Sequence, residues 1–252
     1  MVIRELKKAR KQTVLRENLK RTSEQTKGDS MDSDKFINSI VAEIIEPGLK
    51  SLMQTQYFCD LRQGTLSIRR LQGFALQHYI TNLALNKGFA LCMVKYAHDA
   101  DLYKHFAYQY NEEQYHPDLV KKFGLALGLT EEEFHDATFI FECLSHTGAA
   151  LRGMLAGSPA ENRTWALVNE SMVCRYSEEF ATYLAKNYEL PEDALEFFRV
   201  HWIADQDHTQ RAVTVIRNFA HSAQEQKRVR EIANHAVRFK VAKFDGIYRE
   251  YA

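Results

Sequence analysis

Proline occurs only four times and glycine eleven times in 252 residues, both below ordinary usage. So few breakers leave room for long uninterrupted elements, and each proline falls where a helix would begin or end. The four cysteines, Cys59, Cys92, Cys143 and Cys174, lie far apart with no Cys-x-x-Cys pair. That excludes a disulfide frame and a zinc knuckle, and it reads as reduced thiols in a cytoplasmic protein. No run approaches about eighteen apolar residues, so no membrane span is expected. The amino-terminal residues also lack the apolar stretch of a secretory signal. Net charge is missing too: 33 basic side chains face 33 acidic ones, which argues against a dedicated nucleic-acid binder.

That neutrality has two unequal parts. Residues 1–30 hold nine Lys or Arg against four acids, so this arm carries about +5 and the rest about −5. The arm has no aromatic residue and is expected to be a solvated helix or a disordered tail. The domain boundaries read as 1–32 for the basic arm and 33–252 for a single folded domain.

Within that domain the apolar period is about 3.6, and no segment alternates cleanly with period two. Ser158-Pro159-Ala160-Glu161 and Thr130-Glu131-Glu132-Glu133 have the form of capping boxes. The spacing predicts helices over roughly 34–56, 66–98, 101–114, 117–127, 131–152, 160–186, 192–220 and 222–249. Short loops between them make an all-α bundle.

The segment from His201 to His208 carries the most chemistry. On a helix His201, Asp205 and His208 fall at about 0°, 40° and −20°, in the middle of an apolar stripe formed by Phe197, Phe198, Ala212, Val215 and Ile216. Two imidazoles and a carboxylate in that setting cost several kcal/mol unless they pair with one another or bind a cation. A hydrogen-bonded cluster and a metal site both satisfy that requirement. In the 160–186 helix Glu170 lies within the apolar arc, whereas Glu178 and Glu179 lie on the polar strip. A lone buried Glu stays neutral; beside a metal it ionises and ligates.

Glu113-x-x-His116 adds the Glu-x-x-His arrangement of di-iron bundles, with Pro117 marking a helix break beside it. Glu112 competes with Glu113 for that role. Glu132-x-x-His135 and Glu142-x-x-x-His146 repeat similar spacings, but read as an acidic first turn and a surface pair. The candidate ligands are therefore Glu113, His116, Glu170, His201, Asp205 and His208, with Glu113, Glu170 and Asp205 as the catalytic carboxylates. An oxygen and nitrogen set without thiolate suits iron or manganese better than structural zinc. Tyr79, Tyr176, Arg175 and Arg152 are candidates for substrate contact.

On these residues the sequence resembles the heme-oxygenase-like di-iron oxidases. That superfamily includes thiaminase-type TenA proteins and the cofactorless oxidase of pyrroloquinoline quinone synthesis. The likeness runs from about residue 35 to 250, through His201-x3-Asp205-x2-His208, Glu170 and the stretch from His116-Pro117 to Leu127-Gly128-Leu129. It implies a single-domain bundle of about seven core helices holding two Fe(II) ions, with O2 as co-substrate and manganese as a variant metal. It further implies oxidative C–C cleavage, decarboxylation or N-oxygenation of a small organic acid or amino-acid-like substrate. An external electron donor and a homodimer are expected. The CADD-like subgroup is the most similar, which leaves a non-catalytic interaction protein as the alternative, beside a metal-free oxidase. Members that make p-aminobenzoate consume one of their own tyrosines; aligned on Gly64, that position matches Phe58 here, with Tyr57 one position away, so self-consumption is not expected.

Overall fold

A computed structural model describes residues 33–252, with all of their side chains except those of 203–207. The basic arm, read as 1–32, lies outside the described residues. A helical stretch opens the chain: α1 (33–40), a π segment Val41–Ile45, and α2 (Glu46–Met53). There follow α3 (Gln56–Gln63), α4 (Ile68–Lys95), α5 (Ala100–Glu113), α6 (His116–Ala126), α7 (Glu131–His135) and α8 (Phe141–Ala156). The chain ends with α9 (Pro159–Asn187), a 3-10 turn Glu192–Leu195, α10 (Glu196–Phe219) and α11 (Ala223–Glu250). No strand occurs among the described residues. Nor is any described helix long and apolar enough to cross a membrane.

Local chemistry sets the boundaries. Ser67 caps α4 by accepting from the Arg70 N–H. Ser158 with Glu161 and Ser222 with Glu225 close reciprocal capping boxes at the starts of α9 and α11. Gly64 ends α3 at φ 72°, a left-handed turn in which a side chain would be strained.

The long helices α4, α9, α10 and α11 surround an aromatic core centred on Phe74, which is fully buried. Around its ring stand Phe123, Tyr176, Phe180, Phe197, Phe198 and Phe244, at centroid distances of 4.9–6.5 Å. Rings from α4, α6, α9, α10 and α11 thus interlock, fixing the depth at which α9 and α10 present Glu170 and His201.

Three predicted boundaries need correction. The helix predicted over 34–56 ends at Met53, and a separate α3 follows; Thr55 is extended, at ψ 154°. The helix predicted over 131–152 is two, α7 and α8, separated by an irregular stretch at 136–140. Its backbone is satisfied from outside: the fully buried Gln77 donates to Thr138 O at 2.8 Å and accepts from Ile140 N at 3.1 Å. A side chain sixty residues away supplies what the local pattern could not show. Finally, the helix predicted from 192 starts as a 3-10 turn before α10.

All four cysteines are free thiols, two of them buried. Burial, the leading influence, raises the Cys143 thiol to about 11, so it is an unreactive core group.

Candidate metal centre

The tight α5–α6 junction sets up the first ligand pair. Glu113 is the last residue of α5, and His116 begins α6 ahead of Pro117. The two therefore sit on different helices yet meet at 2.6 Å, Glu113 Oε2 to His116 Nδ1. From α9 comes Glu170, 7% exposed. From α10 come His201 and His208, both buried. Asp205 lies on α10 between them, but its side chain is outside the described residues.

These elements bring candidate ligands of distant sequence together. One donor atom each of Glu113, Glu170 and His208 lie within 4.8 Å of one another. The rings of His116 and His201 stand 4.3 Å apart. Glu113 faces both groups. Its Oε1 accepts from Gln109 at 2.9 Å and lies 3.6 Å from His208 Nδ1, while Oε2 meets His116. A carboxylate so placed can serve two ions. Gln109 also reaches Glu170 Oε1, at 3.4 Å.

Outer contacts orient the imidazoles. His201 Nδ1 donates to the Phe197 carbonyl at 2.7 Å, which leaves Nε2 as the lone-pair nitrogen. His208 Nε2 meets Glu112 Oε2 at 2.9 Å, and Arg211 donates to the same oxygen at 2.7 Å. Because a carboxylate accepts, His208 presents Nδ1 inward, toward Glu113. The adjacent glutamates are placed differently: Glu113 lies against His116 and His208 Nδ1, and Glu112 meets His208 Nε2 on its other side. Glu112→Gln is expected to weaken metal affinity by about 10–100-fold, the usual effect of losing such an outer carboxylate. Metal titration would check this, and unchanged affinity would remove Glu112 from the centre.

The electrostatics favour a bound cation. Burial pushes the Glu113 carboxyl up, but His116, His201 and His208 outweigh it and hold it at about 2. Burial, then His116, brings His201 down to about 3, a neutral ligand at physiological pH. The donors are carboxylate and imidazole, and no cysteine is among them. This structure therefore fits the iron that the resemblance implies.

Beside the ligands opens a cavity of about 70 Å³, walled by α4, α5, α8, α9 and α10. His78, Asn82, His146, Arg163, Asn169 and Trp165 line it together with Glu113, Glu170 and His201. His146 is buried here and not in a surface pair; Glu142 pairs instead with Arg249. His135 is exposed beside Asp136.

The substrate-contact candidates sit elsewhere. Tyr79 packs edge-on against Phe134, Tyr176 is buried in the aromatic core, Arg175 is exposed and paired with Glu178, and Arg152 is exposed on α8. None of the four lines the cavity. Sequence reading missed Gln109, one turn before Glu113, and Arg163, seven residues before Glu170; both spacings return to the same helix face.

Two cavity imidazoles make stability pH-dependent. Burial first, then Lys243 and Lys240, holds His78 well below its ordinary value; burial first, then the same lysines in the opposite order, does so for His146. Below about pH 6.5 the unfolded chain protonates both rings and the folded chain does not, so acid favours unfolding. Metal-free protein should lose up to about 1.4 kcal/mol per ring for each pH unit below that point. Urea melts at pH 7 and pH 5 would measure the loss, and equal midpoints would contradict it.

A sequence profile for a family described as "Iron-containing redox enzyme" matches residues 72–241. No curated protein matches the sequence. Among solved structures, a domain of unknown function with a heme oxygenase-like fold from Shewanella denitrificans superposes with a TM-score of 0.74 at 13% identity. The match covers 82% of this chain and 90% of that one. A TenA homologue from P. horikoshii gives 0.72 at 18% identity, covering 85% and 98%. Another TenA homologue, from Pseudomonas syringae pv. tomato, gives 0.71 at 14%, covering 85% and 93%. At these identities the likeness establishes the fold, an all-α heme-oxygenase-like bundle.

Proposed function

The chain belongs to the family of iron-containing redox enzymes, and from that premise we propose that it is a non-heme di-iron oxidase or oxygenase. In this reading O2 is the co-substrate, and the organic substrate is a small acid or amino-acid-like metabolite. The single observation that carries the proposal is Glu113, whose two oxygens face two groups of ligands at once. Glu113, His116, Glu170, His201, Asp205 and His208 would hold the ions, Asp205 by sequence spacing alone. When bound, a pair of Fe(II) ions would supply electrons to reduce and so activate dioxygen for the oxidation of an organic molecule held beside it.

The remaining work falls to the chain. Phe197 O fixes the tautomer of His201, and Glu112 fixes that of His208. Gln109 spans Glu113 and Glu170 and holds their carboxylates in register. Phe89, Met154 and Trp165 on the cavity wall exclude water from the reacting atoms. Oxidative C–C cleavage, decarboxylation and N-oxygenation all use such a site, and an external donor would restore the reduced centre.

Reconstitution with Fe(II) without air is the test. About two irons per chain are expected, followed by oxygen consumption on exposure to air. A chain that takes up no iron would be a metal-free protein of the same fold, and the proposal would fail.

A further inference from the structure

Arg163 is buried, 2% exposed, on the wall of the cavity that also holds Glu113 and Glu170. A guanidinium at that depth ordinarily faces a carboxylate. Among the described residues none stands within ion-pair distance. Its polar contacts are neutral: Nε and Nη2 donate to Asn162 Oδ1 at 3.3 and 3.0 Å, and Nη1 donates to His105 Nε2 at 3.2 Å. His105 can accept because burial first, then Arg163 itself, brings it down to about 3. The rings of Phe106 and Phe89 flank the group at 4.8 and 5.9 Å. Of five guanidinium N–H bonds, these contacts use three.

Charge balance gives the rest a purpose. Glu170 and Glu113 act on Arg163 only at longer range. Two divalent ions would bring four positive charges to a centre whose Glu113, Glu170 and Asp205 supply three negative ones. With the imidazoles neutral, the loaded site is left positive, and the Arg163 charge adds to it in a place without water. Elsewhere on the same wall, Asn82 Nδ2, Asn169 Oδ1 and His146 Nδ1 are buried without hydrogen-bond partners among the described residues. Among the described residues the lining thus offers one cation and several open polar atoms, and a volume of about 70 Å³ leaves no room for a long hydrocarbon chain.

We infer that Arg163 binds the carboxylate of the substrate, and that the substrate is a short carboxylic acid bearing a further polar group, such as an α-amino acid presents. The charge argument rests on the di-iron reading. Asn162 and His105 hold the fork in place, and Asn169 Oδ1 accepts from an N–H of the polar substituent.

Trp165 lines the cavity and the chain has only one other tryptophan, the half-exposed Trp202. In a Trp202→Phe background, Trp165 emission reports on the cavity alone. Iron content is measured first, then air-free Fe(II)-loaded protein is titrated with norvaline, pentanoate, pentanamide and dodecanoate. Norvaline and pentanoate should both bind, and pentanamide at least about tenfold more weakly than pentanoate, for want of a charge-assisted pair. Arg163→Gln should hold as much iron as the parent and bind both short carboxylates at least about tenfold more weakly, with partial recovery in Arg163→Lys. Pentanamide binding as tightly as pentanoate overturns the role of Arg163, as does undiminished binding by an iron-replete Arg163→Gln. Dodecanoate binding more tightly than norvaline overturns the substrate class. If Arg163→Gln fails to fold, the parent titrations decide. A parent without iron overturns the di-iron reading and this inference with it; a parent with iron and no preference for carboxylate overturns the inference alone.

Discussion

Glu113→Ala protein, loaded with Fe(II) in the absence of air, is expected to hold less than about one iron per chain where the parent holds about two. The reason is the position of the carboxylate. One oxygen faces His116 on α6 and the other faces His208 on α10, so its loss empties both halves of the centre. In the proposed centre Glu170 would serve one half, beside Glu113 and His208, so Glu170→Ala should leave an intermediate amount. The second readout is thermal. A ligand that binds only the folded chain stabilises it by about 2.7 kcal/mol at a hundred times its dissociation constant. Iron should therefore raise the melting temperature of the parent and leave that of Glu113→Ala nearly unchanged. Equal iron content and an equal thermal gain in Glu113→Ala and parent would remove Glu113 from the centre.

Phe74→Ala should be the most damaging single change outside the ligands. The ring is fully buried among six aromatic neighbours drawn from four other helices. Truncation removes the ring and leaves a void that so many interlocked rings cannot fill, at a cost of about 3–5 kcal/mol. For a chain of this size each kcal/mol lowers the melting temperature by roughly 2–4 °C, so a fall of about 10 °C is expected. Phe74→Leu keeps most of the volume and should lose less than half as much. A fall of only about 2 °C for alanine, within the scatter of surface changes, would show that the core closes over the gap. His78 lies tilted against Phe74 at 4.9 Å, so the alanine variant should also loosen that side of the cavity.

Much of this site could be read along the chain because its residues break a local rule. Glu170 interrupts an apolar arc, and His201 and His208 interrupt another; each exception is visible within one helix. Capping boxes at Ser158 and Thr130 were equally legible, since both partners lie three residues apart, and both form. What escaped was decided between helices. Glu112 and Glu113 are neighbours in sequence, and only the approach of α10 assigns one outward and the other inward. The break after α7 depends on Gln77, a whole helix away. Tyr79 and Tyr176 have the composition of cavity residues but pack into the core, where aromatic residues in a helical stripe ordinarily go. Arg163 gave a signal that was passed over, because a single arginine near the start of a helix resembles any solvated charge until its burial is known.

The same Gln77 has a mechanical consequence. It sits on α4 immediately before His78, and its amide joins α4 to the middle and the end of the irregular stretch that leads into α8. Sliding α8 along α4 would break both of these half-buried hydrogen bonds, each worth about 0.5–1.5 kcal/mol. The wall bearing His78, Asn82 and His146 therefore behaves as one stiff plate. Any adjustment of the cavity to the shape of its occupant must come from the opposite side, where the ligand-bearing ends of α5 and α6 meet at a two-residue turn.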